Sequence, residues 1–506
     1  MVTHAMTYLQ ESCARNPDKP ALADSGETIT YGQLWRQVCA AAPWISRTLN
    51  GARRRPVFVC IGRRASAAAA LFSVACSGCF YVPVDLGLPE KRLLDMFQAV
   101  RPALVITTGP LSGSLPFPPV PTADWADISS GPACPETVEA LLAAGADTDP
   151  LYCMFTSGST GVPKGVLVSH RSVIDMVEQF CAVFGFDGGE IFGNQAPFDF
   201  DVSVKDLYLS LAAGGTVQIL EKKLFLSPRT LVERMEERRV NTAIWAASAM
   251  KVLSALRTFD KVVPAALRRV MFSGEVLPAK VLNDWMDHLP DARFFNLYGP
   301  TEITCNCTWY PVERRFANDE PIPIGRPFGN CEVFLLDGDG EVTAPDRTGE
   351  LCVRGSCLAL GYYGRPEATR AAFCQNPLQT DWPERIYRTG DLARWNEKGE
   401  LVYMGRADSQ VKHMGHRIEL GEVELAVNAL PQVDSACCLY WEEKERLCLF
   451  YQAPRQDDRG VLNALKGTLP DYMIPNRVYY FEKLPENRTG KIDRAALRAQ
   501  YLKKET

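Results

Sequence analysis

Short apolar, β-branched runs recur along the chain with helical patterns between several of them, and this alternation limits the possible folds more than any other feature. Val57-Phe-Val-Cys-Ile61, Ala103-Leu-Val-Ile-Thr107, Gly165-Val-Leu-Val-Ser169, Thr216-Val-Gln-Ile-Leu220 and Arg269-Val-Met-Phe-Ser273 have the length and residue types of buried strands. Leu231-Val-Glu-Arg-Met-Glu-Glu-Arg-Arg239 has the spacing of an amphipathic helix. The pattern predicts an α/β protein with largely parallel sheets. From Pro321 the texture changes to Gly- and Pro-punctuated short strands, such as Glu332-Val-Phe-Leu-Leu336 and Gly349-Glu-Leu-Cys-Val-Arg354, which predicts a smaller β-rich subdomain. Beyond Gly405-Arg-Ala-Asp408 the chain returns to a mix of strands and helices, and Gly109 to Pro121 reads as an exposed loop.

At 506 residues the chain has room for about three domain-sized units. Its 46% hydrophobic and 23% charged residues exclude a disordered, collagen-like or coiled-coil protein. A net charge of −5 supplies no global reason to expect nucleic acid or an anionic membrane as a partner. The 17 cysteines are odd in number and scattered from Cys13 to Cys448, unlike a small secreted disulfide scaffold. Cys76-Ser-Gly-Cys79 has no second pair at metal spacing and reads as buried structure, so reduced thiols in a cytoplasm are expected. The first residues lack the pattern of a signal peptide. Ala65 to Val84 carries no charge but ends in Tyr-Val-Pro-Val, which predicts a buried helix running into a strand, not a membrane span.

Phe155-Thr-Ser-Gly-Ser-Thr-Gly-Val-Pro-Lys-Gly165 carries the clearest chemistry. Six consecutive hydroxyl or glycine positions let backbone N–H and Oγ groups converge on an anion, and Lys164 adds a cation. The spacing is not that of the Walker loop, and an apolar strand follows instead of a helix.

This segment resembles the signature of the adenylate-forming superfamily, which contains acyl-CoA synthetases, luciferases and the adenylation domains of nonribosomal peptide synthesis. Matching segments follow in the same order over nearly the whole chain: Asn296-Leu-Tyr-Gly-Pro-Thr-Glu302, Tyr387-Arg-Thr-Gly-Asp391, Gly405-Arg-Ala-Asp408, Arg417-Ile-Glu-Leu-Gly-Glu422 and Asn487-Arg-Thr-Gly-Lys491. The resemblance implies an N-terminal core over residues 1–406, with stacked mixed and parallel sheets, helices and a β-rich subdomain. It also implies a small, mobile α+β C-terminal domain over residues 407–506 that turns about Asp408.

The same resemblance implies ATP and Mg²⁺ as cofactors. Thr156, Ser157, Gly158, Ser159, Thr160, Gly161 and Lys164 would hold the β- and γ-phosphates, Thr301 would touch the α-phosphate, and Glu302 would ligate Mg²⁺. Asn296 and Tyr298 would contact adenine, and Asp391 would accept from the ribose hydroxyls with Arg406 nearby. Lys491 would neutralise charge between the substrate carboxylate and the α-phosphate. Met414 departs from the family run, which has Arg there.

Phe198-Asp-Phe-Asp-Val-Ser-Val-Lys205 resembles amino-acid-activating members, including the D-alanine:carrier-protein ligases, with Asp201 pairing the substrate ammonium; the alternative is that Asp201 caps the following helix. The side-chain pocket would comprise Val202, Lys205, Met250, Met271, Ser273, Leu297, Cys305 and Asn306. Lys205 either forms an intrahelical ion pair with Asp201 or meets an acidic or polar substrate side chain. These readings together predict an amino-acid adenylating enzyme, stand-alone or excised, that loads the phosphopantetheine arm of a carrier protein. The alternatives are an acyl-CoA synthetase for a small carboxylic acid and a non-catalytic nucleotide-binding protein of the same fold.

Overall fold

The β-branched runs form strands where their residue types predict them: Pro56–Cys60, Leu104–Thr107, Lys164–Ser169, Thr216–Ile219 and Arg269–Ser273. The structure is a computed structural model that describes residues 2–60, 62–109, 115–156, 163–318, 320–345, 347–407, 410–485 and 492–502. Ser157, Gly158, Ser159, Thr160, Gly161, Asp408 and Lys491 lie outside the described residues. The uncharged stretch from Ala65 becomes a buried helix, Ala65–Cys76, followed by the strand Phe80–Val84. Its run of alanines lets the helix lie flat on its neighbours, since small side chains bring helix axes close.

Two compact units make up the chain. Met1–Asp85, Val100–Met154 and Gly165–Ala407 form the first, and Leu86–Ala99, Phe155–Lys164 and Asp408–Thr506 form the second. The first unit contains most of the sheet structure. A nine-stranded sheet runs, by strand, Arg326–Pro327, Thr308–Val312, Arg293–Tyr298, Arg269–Ser273, Thr242–Ala246, Ile191–Asn194, Thr216–Ile219, Pro20–Ala23 and Thr28–Thr30. Its interior pairs are parallel and its edges antiparallel. A seven-stranded sheet is parallel through its centre, and a six-stranded antiparallel sheet forms the β-rich part from Cys331 to Arg406.

Helix ends follow local chemistry. Thr30 and Gln33 form a reciprocal capping box at the start of Tyr31–Thr48. Gly185 and Gly214, at φ 64° and 74°, close His170–Phe184 and Val202–Ala213 in the left-handed region that glycine enters without a Cβ clash. In the second unit, the strands Ser435–Trp441, Arg446–Gln452 and Arg477–Phe481 carry the helices Leu420–Asn428, Asp458–Lys466 and Arg494–Tyr501. Among the described residues no helix is long and apolar enough to cross a membrane.

Candidate nucleotide and substrate site

Strand Arg293–Tyr298 ends in Gly-Pro-Thr-Glu, and the chain must turn back at once, because Thr308–Val312 pairs antiparallel with that same strand. The reversal uses a short 3-10 turn, Thr301–Ile303, then two non-glycine residues in the left-handed region, Thr304 at φ 56° and Cys305 at φ 76°. Strain of this kind persists only where surrounding contacts impose it. Gly299 permits the reversal: a Cβ there would lie 2.6 Å from Asn306 Cα and 2.7 Å from the Cys305 carbonyl oxygen. Gly299→Ala is therefore expected to destabilise the unit by about 2–3 kcal/mol. A urea midpoint equal to wild type would refute it.

This turn presents Thr301 and Glu302. Glu302 is buried, with Tyr362 Oη donating to its Oε1 at 2.8 Å and the Ala359 amide donating to its backbone carbonyl at 2.8 Å. Thr301 lies close enough to the carboxyl of Asp201 to favour its ionised form, and the charge of Glu302 lies close enough to oppose it. One buried carboxylate beside a second acidic group fits a hard divalent cation shared with phosphate oxygens.

Asp391 and Arg406 stand directly opposite each other across an antiparallel pair. Arg406 Nη1 donates to Asp391 Oδ1 at 2.6 Å, Tyr298 Oη donates to Asp391 Oδ2, and the Asp391 amide donates to Thr389 Oγ1 at 3.0 Å. Asp391 is 1% exposed. A carboxylate offers about four acceptor sites, so these two side-chain donors leave capacity for ligand hydroxyls. Asn296 is held by its own Nδ2, which donates to the Pro323 carbonyl at 2.8 Å.

Asp201 occupies the N-cap position of Val202–Ala213, yet its side chain makes no capping bond, so helix capping does not account for it. Burial pushes its carboxyl up, against the pull of Thr301, Lys205 and the Val202 amide. The intrahelical ion pair is also absent: Lys205, 0% exposed, donates from Nζ to Asn306 Oδ1 at 2.6 Å. Helical spacing places Lys205 on the same face as Asp201, but a neutral partner 101 residues away accepts its hydrogen bond. Cys305 Sγ donates to the Asp201 carbonyl at 3.1 Å, which ties the turn to this helix.

Val202, Met271, Ser273 and Leu297 are buried near these strand and helix ends. Met250 is buried in the core with Trp245, Phe259 and Trp285, and the Trp285 indole donates to its carbonyl at 3.3 Å. Thr156 and Lys164 flank the signature segment, the Thr156 hydroxyl reaching the Lys164 carbonyl at 3.5 Å.

Behind Lys205, Asp206 accepts from Asn194 Nδ2 at 2.9 Å, and Arg63 donates to the Asn194 carbonyl at 3.2 Å. Neither this group nor Tyr362 was legible in the sequence, because their partners lie 12 to 131 residues away. Burial pushes the Asp206 carboxyl up to about 7. A raised carboxyl binds more protons in the folded than in the unfolded state, so its contribution weakens as pH rises from about 4 to about 7. Asp206→Asn is expected to gain stability relative to wild type across that window, as measured by urea denaturation at each pH. A constant difference between the two proteins would contradict this.

The fold is that of the acyl-adenylate synthetases. PA1221, described as an NRPS protein containing adenylation and PCP domains, superimposes with a TM-score of 0.84 at 25% identity, covering 98% of this chain and 84% of that one. The Vibrio cholerae adenylation domain AlmE shares the fold with a TM-score of 0.84 at 22% identity, covering 99% and 98%. Residues 9–363 match the family model of the AMP-binding enzymes, and the chain belongs to that family of adenylate-forming ligases. It is 32% identical over 504 residues to the D-alanine–D-alanyl carrier protein ligase of Bacillus licheniformis, covering 96% of this chain and 97% of that protein. It is 33% identical over 519 residues to enterobactin synthase component F of Escherichia coli K12, covering 99% of this chain and 39% of the length of that synthase.

Proposed function

We propose that the protein activates an amino acid with ATP to an aminoacyl-adenylate and pyrophosphate, then transfers the aminoacyl group to the phosphopantetheine thiol of a carrier protein. The buried Asp201 carries this reading. Among the described residues no cation lies within ion-pair distance of it, and a buried carboxylate in that position favours a ligand that brings an ammonium group. A fatty or aryl acid brings none, which disfavours an acyl-CoA synthetase. The side chain accepted is acidic or otherwise polar, in keeping with the buried Lys205.

The substrate carboxylate attacks the α-phosphorus and pyrophosphate leaves; in the second step the thiol attacks the acyl carbon and AMP leaves. Thr156 to Gly161 and Lys164 hold the outer phosphates, and Thr301 contacts the α-phosphate. Asn296 and Tyr298 flank the adenine, and Asp391, oriented by Arg406, takes the ribose hydroxyls. Mg²⁺, when bound at Glu302, offsets charge on the phosphate oxygens. Lys491 approaches the reacting carboxylate as part of a C-terminal domain, residues 407–506, that turns about Asp408. The working compartment is the cytoplasm, in keeping with 17 free thiols.

ATP–pyrophosphate exchange over a panel of amino acids tests the first step, and mass measurement of a carrier protein tests the second. Exchange is expected only with α-amino acids, and Lys491→Ala is expected to abolish it. Exchange with acids lacking an amino group, followed by CoA thioester formation without a carrier, would replace this reading with an acyl-CoA synthetase. Wild-type exchange that survives in Lys491→Ala would remove that lysine from the chemistry.

A further inference from the structure

Lys205 is an ammonium-bearing side chain with no solvent exposure and, among the described residues, no carboxylate within 4 Å. Its one hydrogen-bond partner among those residues is neutral, the Oδ1 of Asn306 at 2.6 Å. A buried charge without a close counter-ion is costly, because the low dielectric that strengthens ion pairs also penalises a lone ion. Cys305, Asp201 and Asp206 pull on the charge of Lys205 without forming an ion pair, and burial still pushes its pKa below the ordinary lysine value. Asp206 is bonded to Asn194, and Cys305 is a thiol that burial keeps protonated.

Asn306 adds a second donor. With Oδ1 turned to Lys205, its Nδ2 is buried and has no hydrogen-bond partner among the described residues. An unmet buried donor costs about 1–3 kcal/mol unless something fills it. Lys205 Nζ has further hydrogens to give, since an ammonium carries three. Lys205 Nζ and Asn306 Nδ2 thus offer two donors joined through one amide, one of them positive, the chemical complement of the two oxygens of a carboxylate.

We propose that Lys205 and Asn306 together form a receptor for a side-chain carboxylate, so that the substrate is an acidic α-amino acid of the aspartate or glutamate type. The proposal rests on the amino-acid reading above, with Asp201 taking the α-ammonium. Asp201 and Lys205 are four residues apart on one helix, a rise of about 6 Å. That span suits the distance from an α-ammonium to the carboxylate of a four- or five-carbon dicarboxylic amino acid. Asn306 Oδ1 is the positioning element, because it holds Nζ in place before the ligand arrives. The substrate carboxylate then supplies the counter-charge that the protein leaves out, and an uncharged isostere does not.

The test compares exchange kinetics for aspartate, glutamate, asparagine, glutamine and leucine in wild type, Lys205→Met, Asn306→Asp and Asn306→Ala. Wild type is expected to favour a carboxylate side chain over its amide isostere by about 100-fold or more in kcat/KM, the scale of discrimination by a charged hydrogen-bonding site. Lys205→Met should erase that preference. Asn306→Asp gives Lys205 an internal counter-ion and should do the same, while Asn306→Ala should lower it by a smaller factor. Retained stabilisation by ATP in a thermal-shift measurement shows that each variant is folded.

Asn306 also lines a small cavity with Asp175, Gln179 and Asn330. If its amide serves only that cavity, Asn306→Ala and Asn306→Asp leave the preference unmoved and the two-donor receptor is wrong. Wild-type exchange with leucine but not with the acidic residues overturns the proposal and leaves amino-acid activation standing. Exchange only with acids lacking an amino group overturns both.

Discussion

Glu302→Gln is expected to lower ATP–pyrophosphate exchange by about two to three orders of magnitude, the usual loss when one preorganised charge is removed from a developing transition state. Folding stability should change by no more than about 1 kcal/mol, because the replacement is isosteric. Gln retains an acceptor for the Tyr362 hydroxyl, and the bond from Ala359 goes to the backbone carbonyl, which the substitution leaves in place. What disappears is one negative charge beside Asp201 and its capacity to hold a hard cation. Exchange should also need far more Mg²⁺ to reach its reduced maximum. A variant with wild-type rate and wild-type Mg²⁺ dependence would exclude Glu302 from the chemistry.

Asp391→Asn is expected to fail in a different way. Arg406 and Asp391 are 8% and 1% exposed at the side chain, so neutralising the acid takes the carboxylate of this ion pair from a buried guanidinium. Breaking a buried pair from one side costs about 3–5 kcal/mol, and urea denaturation should show it. Nucleotide affinity should fall as well, since the same carboxylate is proposed to take the ribose hydroxyls. The double variant Asp391→Asn with Arg406→Met separates the two effects. It removes the buried positive charge as well and should recover much of the stability while exchange stays low. Recovery of both together would make Asp391 purely structural.

These expectations differ in how far the sequence alone supports them. The segment around Lys164 pointed to the family because its pattern is local: consecutive Ser, Thr and Gly stand in front of an apolar strand. The strands were legible for a similar reason, since β-branched runs declare themselves within five residues. Asp391 and Arg406 were matched only by resemblance, and their pairing follows from ladder register, which places them face to face. Lys205 shows where local reasoning stops. A helix period says which residues share a face, and it put Lys205 beside Asp201, but the period carries no information about what packs against that face. The turn after Gly299 brings Asn306 there, through two left-handed residues that no pattern in the sequence announces.

By itself, then, the sequence determined an α/β body with a β-rich part and the signature segment of its family, because strand propensity, helix period and Gly/Ser content act over a few residues. It also singled out Asp201, Glu302 and Asp391 as the acids worth following. Only the tertiary structure decided the partners: Tyr362 on Glu302, Tyr298 and Arg406 on Asp391, and Asn306 on Lys205. A buried polar group must find its hydrogen bond wherever the fold brings a donor or acceptor to it, and in these cases that place is 15 to 101 residues along the chain.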